Sequence, residues 1–200
     1  MLSVTINTAS NILLDILSKY KIEKILDVTY GEGQLWNNIP KDNYNIVSID
    51  KDKNSKAIHK INFADFKTNE RFDVILYDPP YNFQKSGFQM NMGAKLVWKD
   101  NKTQRVEFTP TEAIENVRNL NKLAFEVLNN DGLIFVKVSD ARFKGNIFAH
   151  HAIIIQELSN FNLKELIVYV KLNNMVANKE KCAHIIHGYW MIFQKRMIKS

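Results

Sequence analysis

Residues 72–77, Phe72-Asp73-Val74-Ile75-Leu76-Tyr77, read as a buried strand that runs without a break into Asp78-Pro79-Pro80-Tyr81. Proline has no N–H for a sheet ladder, fixes φ and leaves its carbonyl free to accept hydrogen bonds. The tetrapeptide therefore stops the strand abruptly. It presents a carboxylate, unladdered carbonyls and an aromatic ring at the strand's carboxyl end. Such a chain needs a sheet that covers this strand on both faces and leaves its end open.

The rest of the chain supplies that sheet. A helix is expected over 7–20, with Ile12, Leu13, Ile16 and Leu17 on one face and Thr8 or Ser10 as cap. Strands are expected at 24–30 and 44–50, with a short third one at 60–64. A helix follows over 111–129, capped by Thr111 and ended by Asn130-Asp131-Gly132. Then come a strand at 133–138, a helical stretch at 150–160, and strands at 166–172 and 189–194 around the polar loop 173–184. Alternating strands and helices imply a mostly parallel sheet with helices on both faces, an α/β fold. Ligands of such sheets sit at the carboxyl ends of the strands. Gly31-Glu32-Gly33, Asp50 and Asp78-Pro79-Pro80-Tyr81 all fall at such ends.

The 200 residues fit a single domain spanning 1–200. No apolar run approaches the roughly 20 residues of a membrane span, and the N-terminus has no signal-peptide pattern. Cys182 is the only cysteine, which excludes an intrachain disulfide and suits a cytoplasmic setting. The formal charge is +6, compatible with a nucleic-acid partner and equally with an AT-rich coding bias toward Lys and Asn.

Asp27-Val28-Thr29-Tyr30-Gly31-Glu32-Gly33 places two glycines just after a strand, where backbone can turn tightly and approach a ligand. It is not a phosphate loop, because no Gly-Lys-Ser/Thr follows. Asp50 lies 19 residues after Gly31 at the end of the next strand, where an acid can accept from ribose hydroxyls.

Together these residues resemble the amino-methyltransferases that act on the exocyclic amine of adenine or cytosine. Asp27 to Gly33 is similar to their cofactor loop, and Asp78-Pro79-Pro80-Tyr81 matches their catalytic motif. His187-Gly188-Tyr189-Trp190-Met191-Ile192-Phe193-Gln194-Lys195 resembles their last strand. The nearest likeness is to compact phage and mobile-element members with a Thr-Tyr-Gly loop. Thr29-Tyr30 departs from the more usual Pro-Phe, and a separate recognition domain is missing.

The resemblance implies a class I, Rossmann-like methyltransferase with seven strands ordered 3-2-1-4-5-7-6, the last antiparallel. It implies S-adenosylmethionine as cofactor, held by Asp27, Thr29, Gly31, Gly33, Asp50, Asp65 and Phe66. Asp50 would hold the ribose and Asp65 the adenine amine. Asp78 and the Pro79 carbonyl would accept from the target amine, Pro80 would complete the rigid turn, and Tyr81 would stack on the base. An aromatic amine is a poor nucleophile. Two fixed acceptors can aim its lone pair at the methyl, which is positioning and preorganised electrostatics. A sulfonium is already electrophilic, so no metal is expected.

Residues 82–110 form a stretch too long for an idle connection. Its cations and aromatics, Phe83, Lys85, Phe88, Lys95, Trp98, Lys99 and Lys102, suit a substrate-facing loop on nucleic acid. His150-His151 and His184 with His187 have no acid or cysteine at ligand spacing. Lys137 and Asp140 either line the pocket or form a structural ion pair. Phe135, Phe148, Phe161 and Phe193 read as core. The expected activity is methylation of adenine N6 in DNA. The alternatives are an RNA base methyltransferase and a non-catalytic protein that binds cofactor and nucleic acid. Either a monomer or a homodimer is compatible with the chain.

Overall fold

The computed structural model describes residues 3–80, 109–143, 146–170 and 187–196. Its elements are β1 (Val4–Ile6), α1 (Ala9–Leu17), β2 (Lys24–Asp27), β3 (Asn45–Ser48), β4 (Phe72–Tyr77), α2 (Pro110–Val127), β5 (Leu128–Val138), β6 (Ala141–Phe143), β7 (Asn146–Phe148), α3 (His150–Glu157), β8 (Phe161–Val170) and β9 (His187–Lys195). Seven strands form one sheet in the order β1-β8-β9-β5-β4-β2-β3, and β6 pairs with β7 in a separate hairpin. β9 runs antiparallel to both β5 and β8, while β2, β3, β4 and β5 are mutually parallel.

Strand alternation sorts the core into two layers. Val74 and Leu76 of β4 face α1, packing with Ile12, Leu13, Ile16, Leu17 and Trp36. Ile75 and Tyr77 face the other way, with Val117, Leu120, Leu123 and Ala124 of α2 and Ile154 of α3. Helices on both faces explain why the central strands carry unbroken apolar runs. Each fully buried aliphatic or aromatic side chain contributes about 1.5–3 kcal/mol through removal from water. Of the four expected core phenylalanines, Phe135, Phe161 and Phe193 are buried, while Phe148 is only half-buried at the hairpin.

Several expectations need correction. The strand expected at 60–64 is absent. Among the described residues only one bridge, Ile49 to His59, extends the sheet beyond β3. Phe63–Asp65 instead form a 3-10 turn, capped by the Asn62 side chain accepting from the Ala64 N–H. The seventh strand comes from the opposite edge, where β1 pairs in parallel with β8, Val4 against Val168. The order 3-2-1-4-5-7-6 thus loses its third strand and gains an N-terminal one beyond the sixth.

The cap of α2 is Thr109, not Thr111. Pro110 occupies the first turn, and Thr109 and Glu112 form a reciprocal capping box, because proline's missing N–H costs nothing there. Thr109 and Pro110 therefore belong to the helix rather than to the preceding loop. Asn130-Asp131-Gly132 lies within β5 rather than in a turn. Phe72 faces Leu128 and Val74 faces Leu133, so the intervening residues bulge out of register. The hairpin β6–β7 was not expected. The described parts of the remaining strands agree with expectation to within a few residues.

Candidate active site

The site lies where β2, β4 and β5 end side by side. β2 stops at Asp27, whose side chain points to the α1 layer and is 3% exposed. Its carboxylate accepts from the Thr29 N–H at 3.0 Å and from the Trp36 Nε1–H at 2.7 Å. Burial pushes the Asp27 carboxyl up to about 7, against the opposing pull of those two donors. Trp36 was not singled out from the sequence. Its signal is a fully buried indole nine residues beyond a buried acid, where a donor must find an acceptor.

The chain then turns through Gly31 at φ 52° and Gly33 at φ 73°. The φ of Gly33 lies in the region that favours glycine, and a Cβ there would lie 2.8 Å from the Tyr30 hydroxyl oxygen, so the Tyr30 ring would have to move aside. Asp50, just past β3, accepts from the Gly31 N–H at 2.7 Å and from the Asp52 N–H at 2.8 Å. It thereby ties the glycine loop to the neighbouring strand end.

Thr29 explains its own departure from Pro-Phe. Its hydroxyl accepts from the Asp78 N–H at 2.7 Å. That N–H is the last one β4 can offer before two prolines, and a proline at position 29 could not receive it. The glycine loop and the Asp78-Pro79-Pro80-Tyr81 motif are thus joined by one hydrogen bond. Pro79 is buried and Pro80 exposed.

Asp78 is partly exposed, and both its oxygens lie 2.8 Å from the Lys137 ammonium. Among the described residues no ion pair joins Lys137 to Asp140; Lys137 pairs instead with the motif's own acid, Asp78. Asp140 pairs elsewhere. It lies 2.7 Å from His151 Nδ1 and accepts from the Tyr189 hydroxyl at 3.3 Å, and His187 Nε2 lies 2.9 Å from that hydroxyl. His151 stacks on Tyr189 at 4.3 Å between ring centroids. Burial, then the charge of Asp140, pushes the Tyr189 phenol up to about 12. The acid partner of His151 lies 11 residues upstream, a separation that adjacent-ligand spacing does not reveal. Among the described residues no group of three or more His, Cys, Asp or Glu is arranged to hold a metal ion. No helix among them is long and apolar enough to cross a membrane.

Asp65 ends the 3-10 turn and is exposed. Phe66, expected at the cofactor, is 7% exposed and packs in the α2 layer, its ring 5.3 Å from that of His59. Tyr81, Phe83, Lys85, Phe88, Lys95, Trp98, Lys99, Lys102 and His184 lie outside the described residues.

The fold is similar to that of the N-methyltransferase NodS from Bradyrhizobium japonicum WM9, at 11% identity and TM-score 0.58, covering 94% of each chain. The same enzyme in complex with S-adenosyl-L-homocysteine aligns at 11% identity and TM-score 0.55, over 94% of this chain and 86% of that one. Burkholderia thailandensis 1,6-didemethyltoxoflavin-N1-methyltransferase, with 1,6-didemethyltoxoflavin and S-adenosylhomocysteine bound, aligns at 12% identity and TM-score 0.53, over 94% and 76% of the two chains. No curated protein sequence matches the chain. The N6/N4 methyltransferase family model, described as DNA methylase, matches residues 72–199. That span begins at β4, runs through Asp78-Pro79-Pro80-Tyr81 and includes β9. The chain therefore belongs to the DNA methylase family of N6/N4 methyltransferases, S-adenosylmethionine-dependent enzymes on a class I fold.

Proposed function

We propose that the protein methylates the exocyclic N6 of adenine in DNA, acting as one methyltransferase domain over 1–200. The observation that carries the proposal is the strand end at Asp78. A carboxylate and the Pro79 carbonyl stand together beside a glycine loop, and Thr29 joins the two. The family's description as DNA methylase supports a nucleic-acid substrate, as does the charge of +6.

The residues present fit the cofactor. The Asp50 carboxylate uses one acceptor site on each oxygen for backbone N–H groups. A carboxylate offers about four such sites, so the outward ones remain for a ribose diol. Asp27, Thr29, Gly31 and Gly33 would shape the loop around the methionine part, with Asp65 at the adenine. Phe66 would act from beneath, through packing. When bound, S-adenosylmethionine would supply an electrophilic sulfonium methyl to the amine lone pair, the C–S electron pair leaving with sulfur. Asp78 and the Pro79 carbonyl hold the two N–H bonds and aim the lone pair. The nitrogen then sheds one proton to water. Pro80 keeps the turn rigid, and Tyr81 gives the base a stacking face. Phe83, Lys85, Phe88, Lys95, Trp98, Lys99 and Lys102 would supply stacking and phosphate contacts from the 82–110 segment.

Incubation of unmethylated DNA and of total RNA with labelled cofactor, followed by digestion to nucleosides and mass analysis, tests this. N6-methyldeoxyadenosine is the expected product. N4-methyldeoxycytidine, or label confined to RNA, would replace the substrate; no transfer to either would reject the activity.

A further inference from the structure

β4 and β5 run in parallel with Tyr77 opposite Val136, so Asp78 and Lys137 follow side by side. Lys137 is the one cation in the run Leu133 to Val138. It is 8% exposed, and on its other side it stands in register with the fully buried Trp190. A cation so placed is costly. Removing it from water is offset only by close pairing, and an apolar residue of similar volume would serve stability as well or better. The partner is the carboxylate at the catalytic strand end, with both oxygens at 2.8 Å.

We propose that Lys137 is a positioning residue for methyl transfer, whose ammonium holds both oxygens of Asp78 in the ligand-free site and yields one to the target amine while keeping the other. This rests on the reading of Asp78 as acceptor for that amine. Two effects follow from the geometry. The ammonium fixes the plane of the carboxylate, so the amine meets an acceptor of defined direction. It also makes the pair neutral overall. A lone carboxylate would attract aliphatic ammonium ions, whereas a neutralised one favours an uncharged aromatic amine. Lys137 thereby contributes to selecting the substrate class.

The test uses Lys137→Met, Lys137→Gln and Lys137→Arg in the full chain, assayed on whichever nucleic acid the wild type methylates. Calorimetry with S-adenosylmethionine and thermal melts run alongside. Misplacing a reacting group by about 1 Å costs on the order of 10²-fold in rate. Lys137→Met should lose kcat on that scale, with cofactor Kd and nucleic-acid KM unchanged. Lys137→Arg should recover part of the loss by restoring a cation. Lys137→Gln keeps a donor toward Asp78 and so answers even if the Met variant fails to fold; it should fall between them. Wild-type kcat in a folded Met or Gln variant overturns the proposal. Should the wild type methylate RNA or cytosine, the adenine-in-DNA reading fails while Lys137 is scored on that substrate. Methyl found on a ring carbon or an oxygen rejects the amine reading and the role of Lys137 with it.

Discussion

Asp27 and Asp78 stand at the ends of adjacent parallel strands, and their surroundings satisfy a carboxylate in opposite ways. Around Asp27 the hydrogen-bond donors are neutral and enclosed: an indole N–H, a backbone N–H and 3% exposure. Around Asp78 the partner is a full positive charge, and the acid is partly open to solvent. Neutral donors buried in a core cannot be exchanged without leaving an unpaired acceptor. A charged partner at an open strand end can be shared with an incoming donor. The first region is built as a strut for the loop that turns through Gly31; the second, on the proposed reading, serves as an acceptor for the target amine.

The sharpest break in that contrast is Asp78→Ala. Turnover should fall by on the order of 10²–10³-fold, as when a preorganised polar group is removed from a reacting centre, while cofactor affinity measured by calorimetry stays put. Wild-type turnover would erase the distinction between the two acids. Next in size is Asp50→Ala on the cofactor side. It should weaken S-adenosylmethionine binding by about 1.5–3 kcal/mol, the worth of hydrogen bonds to a charged group, with kcat at saturating cofactor much less affected.

Trp36→Phe sharpens the strut. It removes the Nε1–H from Asp27 and should cost about 1–3 kcal/mol of stability by chemical denaturation, with little effect on the transfer step. A neutral result would mean that Asp27 has another donor. The smallest effect is one of pH. Unfolded, the Asp27 carboxyl titrates near its ordinary value of about 4; folded, burial holds it up to about 7. The folded state binds the extra proton between those values, so the stability from this group is full below about 4 and is lost as pH rises through about 7. Melting temperature should decline across that window in wild type, and Asp27→Asn should flatten the decline.

How much of this was legible depended on the range of the signal. β4 and its abrupt end were readable, because apolar run and prolines are local. α1 was readable from Ile12, Leu13, Ile16 and Leu17, all buried. The strand expected at 60–64 failed because the Asn62 side chain offers the backbone a turn instead. β1 was invisible. Val4 and Ile6 are exposed, so no burial pattern marks the strand, and its partner lies far along the chain. Position 29 was legible only as a departure, since the meaning of its hydroxyl depends on Asp78, 49 residues away. Lys137 showed as an anomaly in an apolar strand; its partner, 59 residues away, did not.

β1 also sets an order of assembly. Its ladder partner in β8 spans Val168 to Val170, so Val4 to Ile6 find no strand to join until β8, more than 160 residues further along, has been made. Loop closure over such a separation is slow. During that wait an exposed apolar edge segment is open to mispairing with other chains. The β1 edge of the sheet therefore closes late, and hydrogen exchange during refolding should show β1 gaining protection after β4 and β5.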